Sequence, residues 1–286
     1  MTAPGPGREV VLVDCPDEVG LIHRITGALQ GRRLNIESNH EFVDASAGHF
    51  FFRAEVKPAG EPVPPDRLRD DLVAVLPPRA RVRVTREGRR PIVVCVTREP
   101  HCLGELLLLD AVGDLPGRIV AVVANHDNLR SLVERFGVPF HHVPHEGLSR
   151  DAHERNLLEA IDAHAPDYVV LARYMRVLSA AAVARYRDRI VNIHHSFLPA
   201  FAGASPYRQA FARGVKLIGA TAHFVTEELD AGPIIAQDVT PVDHTFTPER
   251  MAQAGRDVEK LVLARAVRLV LEERVFLHGP RAVVFG

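Results

Sequence analysis

The chain contains no tryptophan, four tyrosines and only three cysteines in 286 residues. Cys15, Cys95 and Cys102 are odd in number and carry no CxxC spacing, which argues against a disulfide framework or a thiolate zinc site. Beside apolar runs such residues act as small buried side chains. Charge of one sign is lacking too: 35 basic residues face 36 acidic ones, a net charge of -1. That balance offers no broad electrostatic surface to nucleic acid or anionic lipid. No apolar stretch approaches the ~18 residues a membrane span needs, and Arg265 and Arg268 interrupt the longest helical segment. The opening Met-Thr-Ala-Pro-Gly-Pro-Gly has neither the basic nor the apolar region of a signal peptide. A soluble, cytoplasmic protein is expected. The 47% apolar and 25% charged residues fit a globular chain, whose length suggests about two domains.

Residues 1–86 read as a ferredoxin-like βαββαβ unit. A β-branched run, Glu9 to Asp14, ends in Cys-Pro-Asp; a helix is expected from Asp17 as cap, with Ile22, Ile25 and Leu29 inward. Strands Asn35–Val43 and His49–Val56 flank a hairpin loop, Pro64-Pro65-Asp66 opens a second helix, and Arg81–Thr85 alternates as the last strand. Residues 87–91 read as linker. From 92 to 286 short β-branched runs (Ile92–Val96, Ile119–Ala124, Tyr168–Leu171, Ile190–Ile193) alternate with helix-length segments, predicting a doubly wound, mainly parallel α/β sheet. Lys216–Thr226 and Pro233–Val239 read as strands around a turn at Leu229–Gly232, and Pro248–Glu273 as a long packing helix.

Ligands of such sheets bind beyond the C-terminal strand ends. The first βα connection, Thr97–Gly104, holds one glycine and matches no nucleotide fingerprint. His141-His142-Val-Pro-His145 reads as a solvated loop in a chain of 15 histidines, so no metal is expected. At the end of a buried strand, Asn192 and His194 share one side, with Pro199 and Gly203 breaking the chain into a loop. An amide can donate to an oxygen that becomes negative, and an imidazole can move a proton near neutral pH.

Asn192-x-His194, Gly219-Ala-Thr-Ala-His-Phe-Val225, Leu229-Asp230-Ala-Gly-Pro-Ile-Ile235 and Leu171-Ala-Arg-Tyr-Met-Arg-Val-Leu178 together resemble the N10-formyltetrahydrofolate-dependent formyltransferase and hydrolase superfamily, over most of residues 91–286. The resemblance implies a catalytic Asn192, His194 and Asp230. It implies substrate contacts from Met175, Arg176, Val177 and Leu178 at the pterin and from Glu227, Glu228, Leu229 and Gly232 in a folate loop, with Thr221 and His223 alongside. Folate is then substrate, and no cofactor or metal is implied. Residues 1–86, with Asp14-Cys-Pro-Asp-Glu-Val-Gly-Leu-Ile22, look like an ACT domain. That implies an effector such as glycine or methionine at Asp17, Glu18, Val19, Gly20 and Leu21, and a homo-oligomer.

An ACT domain placed in front, Arg98-Glu-Pro-His-Cys102 where transferases hold the acceptor's phosphate, and His195 where they usually have proline favour a hydrolase. His145-Glu-Gly-Leu148, His194–Pro199 and Ala254–Lys260 point the same way. The implied reaction yields tetrahydrofolate and formate and balances one-carbon pools for purine synthesis. Which of His194 and Asp230 is the base stays open, as do transfer to an amine and a non-catalytic folate or amino-acid sensor.

Overall fold

The computed structural model describes residues 8–86, 88–199 and 206–286. The opening seven residues, Glu87 of the expected linker and the expected strand breaker Gly203 lie outside them. The chain divides into two compact units, one running to Gly88 and including Phe285–Gly286, the other Arg89–Val284.

The first unit runs β1 (Glu9–Pro16), α1 (Leu21–Gly31), β2 (Leu34–Asp44), β3 (His49–Pro58), α2 (Pro65–Val75) and β4 (Arg81–Arg86). Its antiparallel sheet has the order β2-β3-β1-β4. Alternate residues of β1 (Val11, Val13, Cys15) and of β3 (Phe50, Phe52, Ala54, Val56) face Leu21, Ile25 and Leu29 of α1 and Leu68 and Leu72 of α2. Helix α1 starts later than its sequence suggests. The Asp17 amide donates to the Gly48 carbonyl, holding that residue against the β2–β3 hairpin, and Gly20 at φ 90 turns the chain into the helix. The inner stripe is therefore Leu21, Ile25 and Leu29, and Ile22 is 46% exposed.

The second unit runs β5 (Arg90–Val96), α3 (His101–Val112), β6 (Gly117–Ala124), α4 (Arg130–Arg135), β7 (Phe140–His142), α5 (Arg150–Asp162), β8 (Tyr168–Leu171), α6 (Ala180–Arg185) and β9 (Ile190–His194). It continues with α7 (Pro206–Arg213), β10 (Leu217–Phe224), β11 (Ile234–Pro241), α8 (Pro248–Leu271) and a final hairpin, β12 (Val275–His278) and β13 (Arg281–Val284). Arg90 and Pro91, read as linker, belong to β5: Arg90 pairs with Gly117, and its charge meets the buried Glu273 at 2.5 Å.

The main sheet has the order β11-β10-β9-β8-β5-β6-β7. β9, β8, β5, β6 and β7 are parallel, while β10 and β11 run antiparallel. Ile92, Val94 and Val96 enter one core and Val93 and Cys95 another, as a sheet covered on both faces requires. From β5 the chain goes out to β6 and β7, then returns to add β8 and β9 on the other side. The order thus reverses between β5 and β8, which opens a crevice at their C-terminal ends.

Candidate active site

Two connections meet above that crevice. The Met175 amide donates to Thr97 Oγ1 at 2.9 Å, tying the loop after β8 to the end of β5. On β9, Asn192 and His194 lie one alternation apart, and the antiparallel register sets them opposite His223 and Thr221 of β10. The turn between β10 and β11 folds back over this pair. It is closed by the Phe224 amide on the Pro233 carbonyl, and a β-carbon at Gly232 would collide with the Phe224 carbonyl. Asp230 sits at φ 56, a left-handed conformation that aspartate accepts more readily than most residues.

The three expected catalytic side chains come together. Asp230 Oδ2 is 3.2 Å from His194 Nδ1, and its Oδ1 is 3.7 Å from His223 Nε2. His223 Nδ1 donates to the Phe224 carbonyl at 2.8 Å, which leaves Nε2 to accept from Asn192 Nδ2 at 3.2 Å. One N–H of the Asn192 amide is thereby fixed, and the second is available to an oxyanion. The hydrogen bond from His194 outweighs burial and holds the Asp230 carboxyl well below its ordinary range. An ionised Asp230 keeps the His194 proton on Nδ1. His194 Nε2 is buried and has no hydrogen-bond partner among the described residues, which leaves its lone pair for a reacting group.

The expected substrate contacts divide. Met175, Val177 and Leu229 are apolar and exposed around the crevice, while Glu227 and Glu228 are exposed acids on the turn. Arg176 is half-buried in the β8 loop. Leu178 instead packs against the apolar core that contains Leu157, Ile161 and Tyr186. Thr221 is 0% exposed and its hydroxyl is fully used: it donates to the Ser196 carbonyl and accepts from the Leu198 amide and Gln237 Nε2. Thr221 therefore positions the loop after His194 and has no hydrogen bond left for substrate. In the first unit, Asp17, Glu18, Val19 and Gly20 form the exposed β1–α1 turn, whereas the Leu21 side chain is core.

A second layer falls partly inside the stretches quoted above, but the sequence assigned its residues no role. Glu259 of α8 is 0% exposed, receives the Tyr207 hydroxyl at 2.6 Å and meets His101 Nε2 at 2.8 Å and Arg173 Nε at 3.4 Å. Burial alone would raise its pKa, but His101, Arg173 and Tyr207 together hold the carboxyl below its usual value. His195 bridges this layer to the Asn192–His194–Asp230 set, its ring centroid 5.2 Å from that of His194 and 6.3 Å from that of Tyr207. Burial, then the charge of Arg173, push the His195 pKa down to about 4, so the ring is neutral at pH 7. The one legible signal was the Gly255–Glu259 spacing: four residues apart, they share a helix face, and Gly255 leaves room for the Tyr207 ring.

Comparisons with known proteins match both units. A formyl transferase family model covers residues 90–267 and an ACT domain model covers residues 10–62. The formyltetrahydrofolate deformylase of Escherichia coli is 54% identical over 277 residues, 97% of this chain and 98% of the relative. That of Bacillus subtilis is 41% identical, over 96% and 93% of the two chains. The crystal structure of a formyltetrahydrofolate deformylase from Pseudomonas syringae superposes with a TM-score of 0.94 at 40% identity, covering 99% of this chain and 95% of that one. A glycinamide ribonucleotide transformylase from Symbiobacterium toebii gives 0.66 at 33% identity and covers 69% of this chain and 95% of its own.

Proposed function

The chain belongs to the formyltetrahydrofolate deformylase family, and on that premise we propose how its residues hydrolyse N10-formyltetrahydrofolate to tetrahydrofolate and formate. The observation that carries the reading is the chain of contacts from ionised Asp230 through His194 Nδ1 to a buried, unpartnered Nε2, beside an amide with one free N–H. Water attacks the formyl carbon while His194 Nε2 takes its proton. Asp230 stabilises the imidazolium, and the free N–H of Asn192 meets the oxygen as it becomes negative. The imidazolium then returns its proton to N10 as the carbon–nitrogen bond breaks, and formic acid leaves as formate. Asp230 is too weak a base in this environment for that task, which favours His194 for the role the sequence left open. Exposed Met175, Val177 and Leu229 offer apolar contact to the pterin side of the substrate.

Transfer to an amine is disfavoured. The transformylase match covers only about the second unit. Where a transferase would hold its acceptor's phosphate, His101 is bound to Glu259 and Pro100 precedes α3 without an N–H to offer. The test is formate release with and without an amine acceptor. Formate is expected from water alone. Asn192→Ala should lower kcat ~10²–10³-fold, and His194→Ala and Asp230→Asn ~10²–10⁴-fold, with native circular dichroism. Near-normal turnover by the His194 variant, or formyl loss that requires the amine, overturns the reading. The ACT unit further suggests an amino-acid effector, which we assign to the turn Asp17–Gly20, and pairing of copies through that unit.

A further inference from the structure

In the sequence His145 groups with His141 and His142, but in space it does not. His141 pairs with His164, ring nitrogens 2.8 Å apart, on the short strand β7, and His142 is exposed. His145 turns instead toward the end of β6, where its ring meets His126 edge-on at 5.3 Å between centroids. Glu146 Oε1 lies 3.9 Å from His126 Nδ1 and 3.8 Å from His145 Nδ1, and one ligand atom from each of the three residues falls within 4.8 Å of the others. Donors ~2.0–2.2 Å from one tetrahedral ion stand ~3.3–3.6 Å apart, so these side chains would close in by up to about 1 Å to share one.

A fourth group points to the same spot. Asn125 is 3% exposed, its Nδ2 stands 3.4 Å from His145 Nδ1, and its Oδ1 is buried without a hydrogen-bond partner among the described residues. A buried acceptor left without a donor is unfavourable, and half a turn of the amide would bring this oxygen to the imidazoles. Both imidazoles are donors of the kind that divalent metals take. Glu146 supplies the negative charge that offsets Arg98. We propose that Asn125, His126, His145 and Glu146 bind one divalent first-row transition-metal ion, zinc being well suited to two imidazoles and oxygen donors. The site lies beyond the C-terminal ends of β6 and β7, on the same edge of the sheet as Asn192 and His194 but separate from them.

The test is titration of chelator-treated protein with Co2+, followed by visible absorption, with Zn2+ as competitor. One equivalent per chain is expected, with the intense ligand-field bands of a low-coordinate cobalt site, displaced by zinc and accompanied by a rise in Tm. A His126→Asn, His145→Gln double variant and Glu146→Gln should each bind more weakly by more than about tenfold, with unchanged far-ultraviolet circular dichroism. Absence of saturable binding by the parent chain overturns the proposal, as does equal affinity in the folded double variant. A thiolate-to-cobalt charge-transfer band also overturns it, since it would put the ion beside Cys102 with His101 and Glu259.

Discussion

Glu259 is a carboxylate closed off from water, and its neighbours explain how it is tolerated: a tyrosine hydroxyl, an imidazole and a guanidinium all converge on two oxygens. Gly255 is a condition of that arrangement, because a β-carbon there would overlap the Tyr207 hydroxyl. Gly255→Ala should therefore displace Tyr207, remove one donor from Glu259 and destabilise the chain by ~1–3 kcal/mol. Urea unfolding measures it, and a Tyr207→Ala background supplies the control. With the ring gone the alanine no longer meets Tyr207, and its better helix propensity should turn the cost into a gain of up to ~1 kcal/mol. Equal costs in both backgrounds would mean that the glycine does not act by making room for Tyr207. At this scale the proximity of Asn192, His194 and Asp230 was legible, since they sit in recognisable short motifs. Arg173 and Glu259 fall inside the quoted stretches Leu171–Leu178 and Ala254–Lys260, yet their pairing was not legible, because only contact reveals that they share one buried site. Thr221 was misread for the converse reason: strand position shows that a side chain points toward a site, not whether its hydroxyl is already used.

Among the elements, those with a strong period were readable. α8 shows inward Val262, Ala266 and Leu269, and the parallel strands were evident as β-branched runs. The three residues of β7 and the six of α6 are too short to show a period, and the β12–β13 hairpin follows a helix whose apolar face draws the eye. The start of α1 was misplaced because Asp17 is a good capping residue by chemistry, while its backbone is committed to Gly48. That same turn carries the effector assignment. Gly20 at φ 90 needs a glycine, so Gly20→Ala should distort the turn without touching the second unit. Glycine or methionine titrated into the parent chain is expected to change the rate of formate release with a saturable midpoint. The Gly20 variant should keep the basal rate and weaken that response. If neither amino acid alters rate or Tm in the parent chain, the turn is not an effector site.

Across the whole molecule, the histidines divide by unit in a way that pH can read. His126, His141, His153 and His195 all have pKa values lowered chiefly by burial, and all four lie in the second unit. A histidine whose folded pKa is depressed binds its proton more readily in the unfolded chain, so stability falls as pH drops from 6.5 toward the folded value. For His195, with a folded value of about 4, the slope is up to about 1.4 kcal/mol per pH unit across that window. The carboxylates lowered in the first unit, Glu55 and Asp71, act in the same direction but only below their ordinary values of 4.5 and 3.8. Between pH 6.5 and 4.5, then, the second unit should lose stability while the first holds. The chain carries its own probe for this: it has no tryptophan, and its four tyrosines, Tyr168, Tyr174, Tyr186 and Tyr207, all fall within Arg89–Val284. Tyrosine fluorescence during urea unfolding should therefore move to lower midpoints as the buffer is taken from pH 7 to pH 5, ahead of the far-ultraviolet signal that both units share. His195→Asn should remove the largest part of that movement. A tyrosine midpoint independent of pH over this range, or one unaffected by the His195 substitution, would mean that this ring is not held neutral against the catalytic set.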